Sequence, residues 1–450
     1  MKSILFVIPW KASAINCTDY DFSQSPERAP ENVVSLATYL RHQGARVEIA
    51  DLNRLLVACK GNVSDCLSLL KQQCLRFRPE IIGVSFFTAR FEFAADITTY
   101  LRSLFSGEAP LIIAGGVHPT LLPAITYEYI HFDALIIGEG ELPLTAILQG
   151  EPLSQIKGVF LPDQKKAESA DTIKDLDCLP FPDWSLLDKE FYAQPSYLIS
   201  YTQLHKVMPV TFSRGCMYRC NFCAHNCFLS ARCHSPEYFV EMMRATSEQC
   251  GVDSFIIQDS SIGNFKKEWS AVCEQLIASK AHYNWWANLR VNQIDEDFLR
   301  LIKQAGCTKV FLGFESGSQR ILDRMNKKIT TGQCYKAAEL CHKLDLPFYS
   351  SYIVNYFGEE EEDLRLTEEM ILRTRPTSLA INKFSPIPGS VDYDSNEELI
   401  KPYLTSIHSW TTLGMLLSPI LFGNMPPERF DYWYKHLRAL KTKINNYEDH

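Results

Sequence analysis

The chain has 450 residues, 46% of them hydrophobic, 22% charged and 12% aromatic, with a formal charge of −8. At roughly 150 residues per domain this length predicts two or three domains with well-buried cores, and the ordinary composition excludes long disordered tracts. The acidic balance, without a dominant Lys/Arg cluster, excludes a nucleic-acid partner held by phosphate neutralisation, and no run approaches the roughly 20 apolar residues that span a membrane.

The amino-terminal run Ile4 to Ile8 is cut off by Pro9 and Lys11, which reads as a buried first strand rather than a secretory leader. Four more short β-rich runs follow, Val47 to Ala50, Ile81 to Phe87, Leu111 to Ala114 and Ala134 to Ile137. Between them lie the amphipathic patterns Val33 to His42, Cys66 to Phe77, Phe93 to Phe105 and Leu142 to Gln149. This alternation predicts an α/β domain over 1–150, a doubly wound parallel sheet of the Rossmann type. Ligands of such sheets bind beyond the carboxyl ends of the strands. Those ends carry Ser85, the run Gly115-Gly116-Val-His118-Pro-Thr120, and Gly138-Glu139-Gly140-Glu141. Glycine pairs let a ligand approach the backbone, or simply make tight turns; three such turns in series raise the ligand reading. His118, beside two glycines and Pro119, is expected at the edge of a site.

Residues 151–207 read as a linker, polar in the middle and held extended by the prolines of Leu-Pro-Phe-Pro-Asp183. A second series of strands then runs through Pro209 to Ser213, Asp253 to Asp259, Tyr283 to Leu289, Lys309 to Phe314, Pro347 to Val354 and Ser378 to Phe384. About six strand and helix units in under 200 residues suit a partial barrel over 208–394. The remainder, 395–450, is mixed and aromatic and ends in the helical pattern Pro427 to Ile444; it is expected to cap one end of the barrel. Tyr352, Tyr356, Trp410 and Trp433 either line an aromatic cavity there or belong to the core, and Trp433 fits the core.

Cys216, Cys220 and Cys223 fall in C-x3-C-x2-C spacing at the mouth of this second series. Thiolates so close in sequence wrap several corners of an iron-sulfur cluster, and three ligands for four irons leave a corner open for a small molecule. Cys227 and Cys233 offer a fourth ligand and so a closed cluster; zinc is a further alternative, although it more often takes two separated ligand pairs. The fifteen cysteines are clustered rather than evenly spread, which fits a reducing cytoplasm better than a secreted disulfide framework.

Cys216-Met-Tyr-Arg-Cys220-Asn-Phe222-Cys223 resembles the signature loop of the radical S-adenosylmethionine (SAM) enzymes, including the aromatic Phe222 before the last cysteine. In that family SAM chelates the open iron of a 4Fe-4S cluster, and an electron from the cluster cleaves it to methionine and a 5′-deoxyadenosyl radical. The similarity continues in order along the chain. Phe255-Ile-Ile-Gln-Asp259-Ser260 stands where relatives place polar groups near the SAM amino group, without their usual Gly-Gly-Glu. Trp286-Ala-Asn-Leu-Arg290 and Leu312-Gly-Phe-Glu315-Ser-Gly-Ser318, followed by Met325-Asn-Lys-Lys328, match the next two landmarks. The resemblance implies Arg290 on the SAM carboxylate, Glu315 as a SAM ligand outside the cluster loop, and Pro386 to Gly389 as a turn beneath adenine.

The glycine motifs of the first domain, with the Leu-Pro-Phe-Pro-Asp linker, resemble the cobalamin-binding domain that precedes the barrel in one large subgroup of the family. That resemblance implies Ser85, Gly115, Gly116, His118, Gly138, Glu139 and Gly140 around cobalamin, with no histidine beneath cobalt. Glu31-Asn32 replaces the subgroup's usual proline-rich run, a departure that bears on cobalamin occupancy. The implied activity is cobalamin-dependent methyl transfer to an unactivated carbon of a small-molecule or lipid-like substrate, with an electron donor such as flavodoxin or ferredoxin. Rearrangement, cyclisation or ring contraction without net methylation is one alternative, and a front domain empty of cobalamin is another. A closed iron-sulfur electron-transfer or scaffold protein is the non-enzymatic alternative. No cysteine follows Cys341, so carboxyl-terminal auxiliary clusters are not expected, and Cys17, Cys59, Cys66 and Cys74 form no second triad of the methylthiotransferase kind.

Overall fold

The computed structural model describes residues 2–10, 28–105, 109–196, 205–224, 230–415 and 420–445. Two compact units divide the chain, one of residues 1–192 with 396–415, the other of 193–395 with 416–450.

The first unit is built on strands β1 (Ser3–Ile8), β2 (Arg46–Asp51), β3 (Ile81–Ser85), β4 (Leu111–Gly115), β5 (Ala134–Ile136) and β6 (Val159–Phe160), in the order β2-β1-β3-β4-β5-β6. The first five are mutually parallel and β6 pairs antiparallel with β5. Every residue of β1 is buried, as a strand covered on both faces requires. Local chemistry starts the intervening helices where the sequence predicts them. Asn62 accepts hydrogen bonds from Ser64 N and Asp65 N and so begins Val63–Phe77, whose buried face is Cys66, Leu70, Cys74 and Phe77. The strand order reverses between β1 and β3, so the crevice for a ligand opens beyond their carboxyl ends.

The segment read as a linker is largely part of this unit: Asp183 N donates to Thr38 Oγ1 at 2.9 Å, and Tyr192 donates its hydroxyl to buried Asp51. The carboxyl-terminal segment differs from the single barrel cap expected over 395–450, because residues 396–415 pack here instead. The helix Ile407–Gly414 buries Trp410 and Leu413, and its Thr411 Oγ1 accepts from Glu92 N at 3.0 Å in the first turn of Phe91–Ser103. Gly414 lies so close to the backbone of Thr88 and Ala89 that a side chain would overlap it.

The second unit carries β7 (Pro195–Ser196), β8 (His205–Val210), the two-residue strands β9 (Ser213–Arg214) and β10 (Arg232–Cys233), then β11 (Ser254–Ile257), β12 (Asn284–Leu289), β13 (Cys307–Glu315), β14 (Phe348–Val354) and β15 (Ser378–Lys383). Six parallel strands run in the order β15-β14-β13-β12-β11-β8, with β7 antiparallel at the β8 edge. This is the partial barrel the sequence predicts, an unclosed row of six strands alternating with helices. The terminal helix Pro427–Asn445 packs on β15 in the same unit. Among the described residues no helix is long and apolar enough to cross a membrane.

Candidate active site

The cluster loop leaves β9 at Arg214 and is anchored before its first cysteine. Asp259, just past β11, accepts from Phe212 N at 2.8 Å, Ser213 N at 3.0 Å and Ser213 Oγ at 2.5 Å. It is almost wholly buried, and burial pushes its carboxyl up to about 6. Both oxygens are thus engaged by the strand that delivers the loop, and Asn288 Nδ2 donates to the Asp259 carbonyl at 2.8 Å. Ser260, beside it, is half-buried.

Cys220 is buried, while Cys216, Phe222 and Cys223 are partly exposed. Two nitrogen donors reach the sulfurs: Arg290 Nη1 lies 3.3 Å from Cys220 Sγ and Asn264 Nδ2 lies 3.9 Å from Cys216 Sγ. Cys233 sits on β10 in register with Ser213, and Cys227 lies outside the described residues. Among the described residues, no three His, Cys, Asp or Glu side chains converge as around a single ion. The C-x3-C-x2-C spacing and the nitrogen donors beside Cys220 and Cys216 fit an iron-sulfur cluster.

Arg290 follows β12, with its guanidinium carbon 3.6 Å from the Tyr218 ring centroid, a cation–π stack on the loop's own aromatic. Nη2 donates to the Lys327 carbonyl, and Nε is buried without a partner among the described residues. An orphaned donor beside a cysteine sulfur fits an arriving anionic group.

Glu315 ends β13 in a left-handed conformation, φ +65°, where the pairing with β14 slips between Gly313 and Glu315. Such a backbone costs a non-glycine residue about 1–2 kcal/mol and turns the side chain out of the strand's alternation. Its carboxylate, 6% exposed, accepts from Lys327 Nζ at 2.6 Å and from Ser351 Oγ at 3.1 Å. Lys327 Nζ also stands 5.6 Å from the Phe222 ring centroid. Arg290, Glu315, Phe222 and the cluster cysteines are therefore brought to one place, with Lys327 between them. Sequence reading missed Lys327, Tyr218 and Ser351; Lys327 lies inside the Met-Asn-Lys-Lys run that the pattern match had already marked.

In the first unit Ser85 and Gly115 end β3 and β4, and Gly116, Gly138, Glu139 and Gly140 lie beyond the carboxyl ends of β4 and β5, all of them partly exposed. Gly116 adopts φ +98°, and a Cβ there would stand 2.9 Å from the Phe86 carbonyl oxygen, so glycine is needed for this turn. His118 departs from its expected place at a site edge. It is fully buried, its ring 4.1 Å from that of Phe91, with Nδ1 held by Thr88 Oγ1 at 3.1 Å, and burial holds it well below the usual range, at about 3. The partly exposed backbone at three strand ends, with His118 buried, fits a corrinoid that takes no histidine from this loop. Cys66 and Cys74 are core thiols pushed up to about 12 and about 11 by burial. Tyr352, Tyr356, Trp410 and Trp433 are all buried, as core residues are.

Residues 210–371 match the Radical SAM superfamily, and residues 29–148 match the B12 binding domain. The chain belongs to the radical SAM superfamily, in the group with an amino-terminal B12-binding domain. This radical SAM enzyme is 26% identical over 337 residues to an uncharacterized methyltransferase of Pyrococcus horikoshii, covering 73% of this chain and 70% of that one. It is 28% identical over 337 residues to the anaerobic magnesium-protoporphyrin IX monomethyl ester cyclase of Rubrivivax gelatinosus, covering 71% of this chain and 59% of the cyclase, less than two thirds of the cyclase's length. The methyltransferase TsrM of Kitasatospora setae, solved with cobalamin and a 4Fe-4S cluster, shares the fold with a TM-score of 0.68 at 17% identity, covering 89% of this chain and 75% of TsrM. The cofactors of such an enzyme are a 4Fe-4S cluster, SAM and cobalamin, and the departure at Glu31-Asn32 leaves the B12-binding match intact from residue 29.

Proposed function

We propose that this enzyme transfers a methyl group from SAM to an unactivated carbon of a small-molecule or lipid-like substrate, with Cys216, Cys220 and Cys223 holding the cluster. The observation that carries this reading is the pairing, in one chain, of the radical SAM and B12-binding matches with relatives named as methyltransferases. When bound, the cluster supplies the electron that cleaves SAM to a carbon radical, and cobalamin supplies a methyl carrier.

The chain's own residues bind and orient. Glu315 supplies a carboxylate for the donor groups of SAM, its ammonium or hydroxyls, and the Arg290 guanidinium meets the SAM carboxylate while donating to Cys220 Sγ. Asp259 fixes the strand that presents the loop rather than reaching for ligand itself. In the first unit the glycine turns at Gly115-Gly116 and Gly138 to Gly140 present backbone to the corrinoid. An external electron donor, such as flavodoxin or ferredoxin, supplies the reducing equivalent.

A second reading, ring closure without net methylation, is favoured by the 28% identity to the cyclase. Anaerobic protein loaded with cluster and cobalamin, given SAM, dithionite and an extract of candidate small molecules, separates the two. Methyl transfer yields S-adenosylhomocysteine together with 5′-deoxyadenosine, whereas the second reading yields 5′-deoxyadenosine alone. Intact SAM with a fully formed cluster would sink both.

A further inference from the structure

The turn 324–328 is fastened to the cluster loop and its neighbours at several points. Asn221 donates to Met325 O from its backbone and to Arg324 O from its side chain, each at 2.9 Å. Asn326 Nδ2 donates to Arg219 O at 2.7 Å, and Arg290, which holds Cys220 Sγ, also donates to Lys327 O. A further tie leaves from the same turn, from Lys327 Nζ to Glu315. Asn326 and Lys328 take φ of +49° and +55°, a conformation that asparagine tolerates and that costs lysine about 1–2 kcal/mol, sustained by these bonds. A methyl group at Gly313 would overlap Glu315 Oε1 and stand 2.9 Å from Lys327 Nζ, so the strand leaves room for the pair.

We propose that Lys327 is a positioning residue for SAM: its ammonium aims the Glu315 carboxylate, and its carbonyl holds Arg290 against the cluster cysteine. This rests on the reading of Glu315 as a SAM ligand. A carboxylate this buried has little water to orient it, so the adjacent ammonium and hydroxyl fix where its oxygens point toward an ammonium or hydroxyl of the ligand. The groups facing Glu315 are Lys327, the Ser351 hydroxyl and, on the helix Thr331–Lys343, the Cys334 thiol, which burial pushes up to about 12 and so keeps neutral. Among the described residues the cation on Glu315 is therefore that of Lys327, and one turn links the SAM carboxylate seat, the SAM carboxyl ligand and the cluster loop.

The test is equilibrium dialysis of SAM against cluster-loaded, unreduced protein carrying E315Q, K327M, both together, or K327R. If Lys327 acts through Glu315, each of E315Q and K327M weakens SAM binding about tenfold or more, and the double variant binds no more weakly than the weaker single one. K327R, which keeps the charge, restores affinity to within about threefold of wild type. Additive losses, or wild-type affinity in K327M, overturn the inference. Wild-type affinity in E315Q instead removes the reading of Glu315 on which it stands, so the two failures are distinct. Iron content and visible absorption establish cluster loading; where K327M does not load, K327Q retains a donor for Glu315 without the charge and is expected to show the same loss.

Discussion

Replacing Asp259 separates two effects of one carboxylate. Its oxygens accept from Phe212 N, Ser213 N and Ser213 Oγ while the residue is 1% exposed. Asp259→Ala strands all three donors at the base of the cluster loop. At about 1–3 kcal/mol for each buried unsatisfied group, partly recovered by relaxation, the loss is on the order of 4 kcal/mol. Asp259→Asn keeps one oxygen for the two amides and turns its NH2 toward the Ser213 hydroxyl, which then accepts. The second effect is charge. Burial raises the carboxyl to about 6, above its ordinary value, so the native state holds the proton more tightly than the unfolded chain. The stabilising contribution of that protonation is fully present below about pH 4 and is lost as the pH rises through 6. Two pH units correspond to about 3 kcal/mol, a cost of ionisation that the Asn variant does not carry at neutral pH. Denaturant unfolding of anaerobically purified protein is therefore expected to show Asp259→Asn gaining on wild type by about 3 kcal/mol between pH 4 and pH 8, with Asp259→Ala below both throughout. An Asn variant as unstable as the Ala variant, or a gap that does not change with pH, refutes this account.

Arg290→Lys keeps a charge but not the planar fork that reaches Cys220 Sγ and Lys327 O while stacking on Tyr218. Losing a charge-assisted hydrogen bond of about 1.4 kcal/mol to the sulfur lowers the one-electron potential of the loaded cluster by about 60 mV, read by a redox titration followed by electron paramagnetic resonance; an unchanged potential counts against Arg290 as a sulfur donor. Gly317→Ala places a methyl group onto the backbone of Leu366 and Thr367, in the helix Glu361–Thr374, where Gly317 N now donates to Thr367 Oγ1 at 3.0 Å. Because helix backbone yields less readily than a flexible side chain, unfolding stability is expected to fall by about 2 kcal/mol or more, and a wild-type denaturation midpoint contradicts the close approach.

Much of the fold was legible because strand burial leaves a local trace. Ile4 to Ile8, Ile81 onward and Leu111 to Ala114 are continuous apolar runs, as strands covered on both faces must be, and each became a central strand of the first sheet. The barrel strands were legible from less uniform runs: β12 alternates buried and half-buried residues, and β15 ends in Asn382 and Lys383. The cysteine spacing carried its chemistry because a single loop supplies all three thiols, so no tertiary knowledge is needed. The segment after 395 was different. Its helix Ile407–Gly414 has an apolar face that fits either unit by pattern, and what holds it in the first is a close approach at Gly414, the hydrogen bond from Glu92 N to Thr411 and the contact of His408 with the Glu92 carboxylate. His118 misled for a related reason: glycines on both sides of a strand end suggest exposure, but the aromatic neighbours Phe86 and Phe91 that enclose it come from other parts of the chain.

Partner choice among charged residues is harder still, and the active site shows why. Arg290 and Glu315 are marked by motif, yet neither motif says what neutralises a buried charge once the chain has folded. The answer is supplied by Lys327, twelve residues beyond Glu315, which reaches back across the intervening short helix Gln319–Arg324. That reach depends on three departures from regular backbone: the slip of β13 against β14, the left-handed Glu315, and the left-handed residues on either side of Lys327. Each departure is costly alone and none has a strong residue preference outside glycine and asparagine, so a sequence pattern built on periodicity passes over all three. What holds them is mutual: the ion pair fixes the turn, the turn fixes Arg290, and Arg290 rests on the loop that carries the cysteines. A residue whose role lies in such a circuit becomes visible only when side-chain partners are traced from one buried charge to the next.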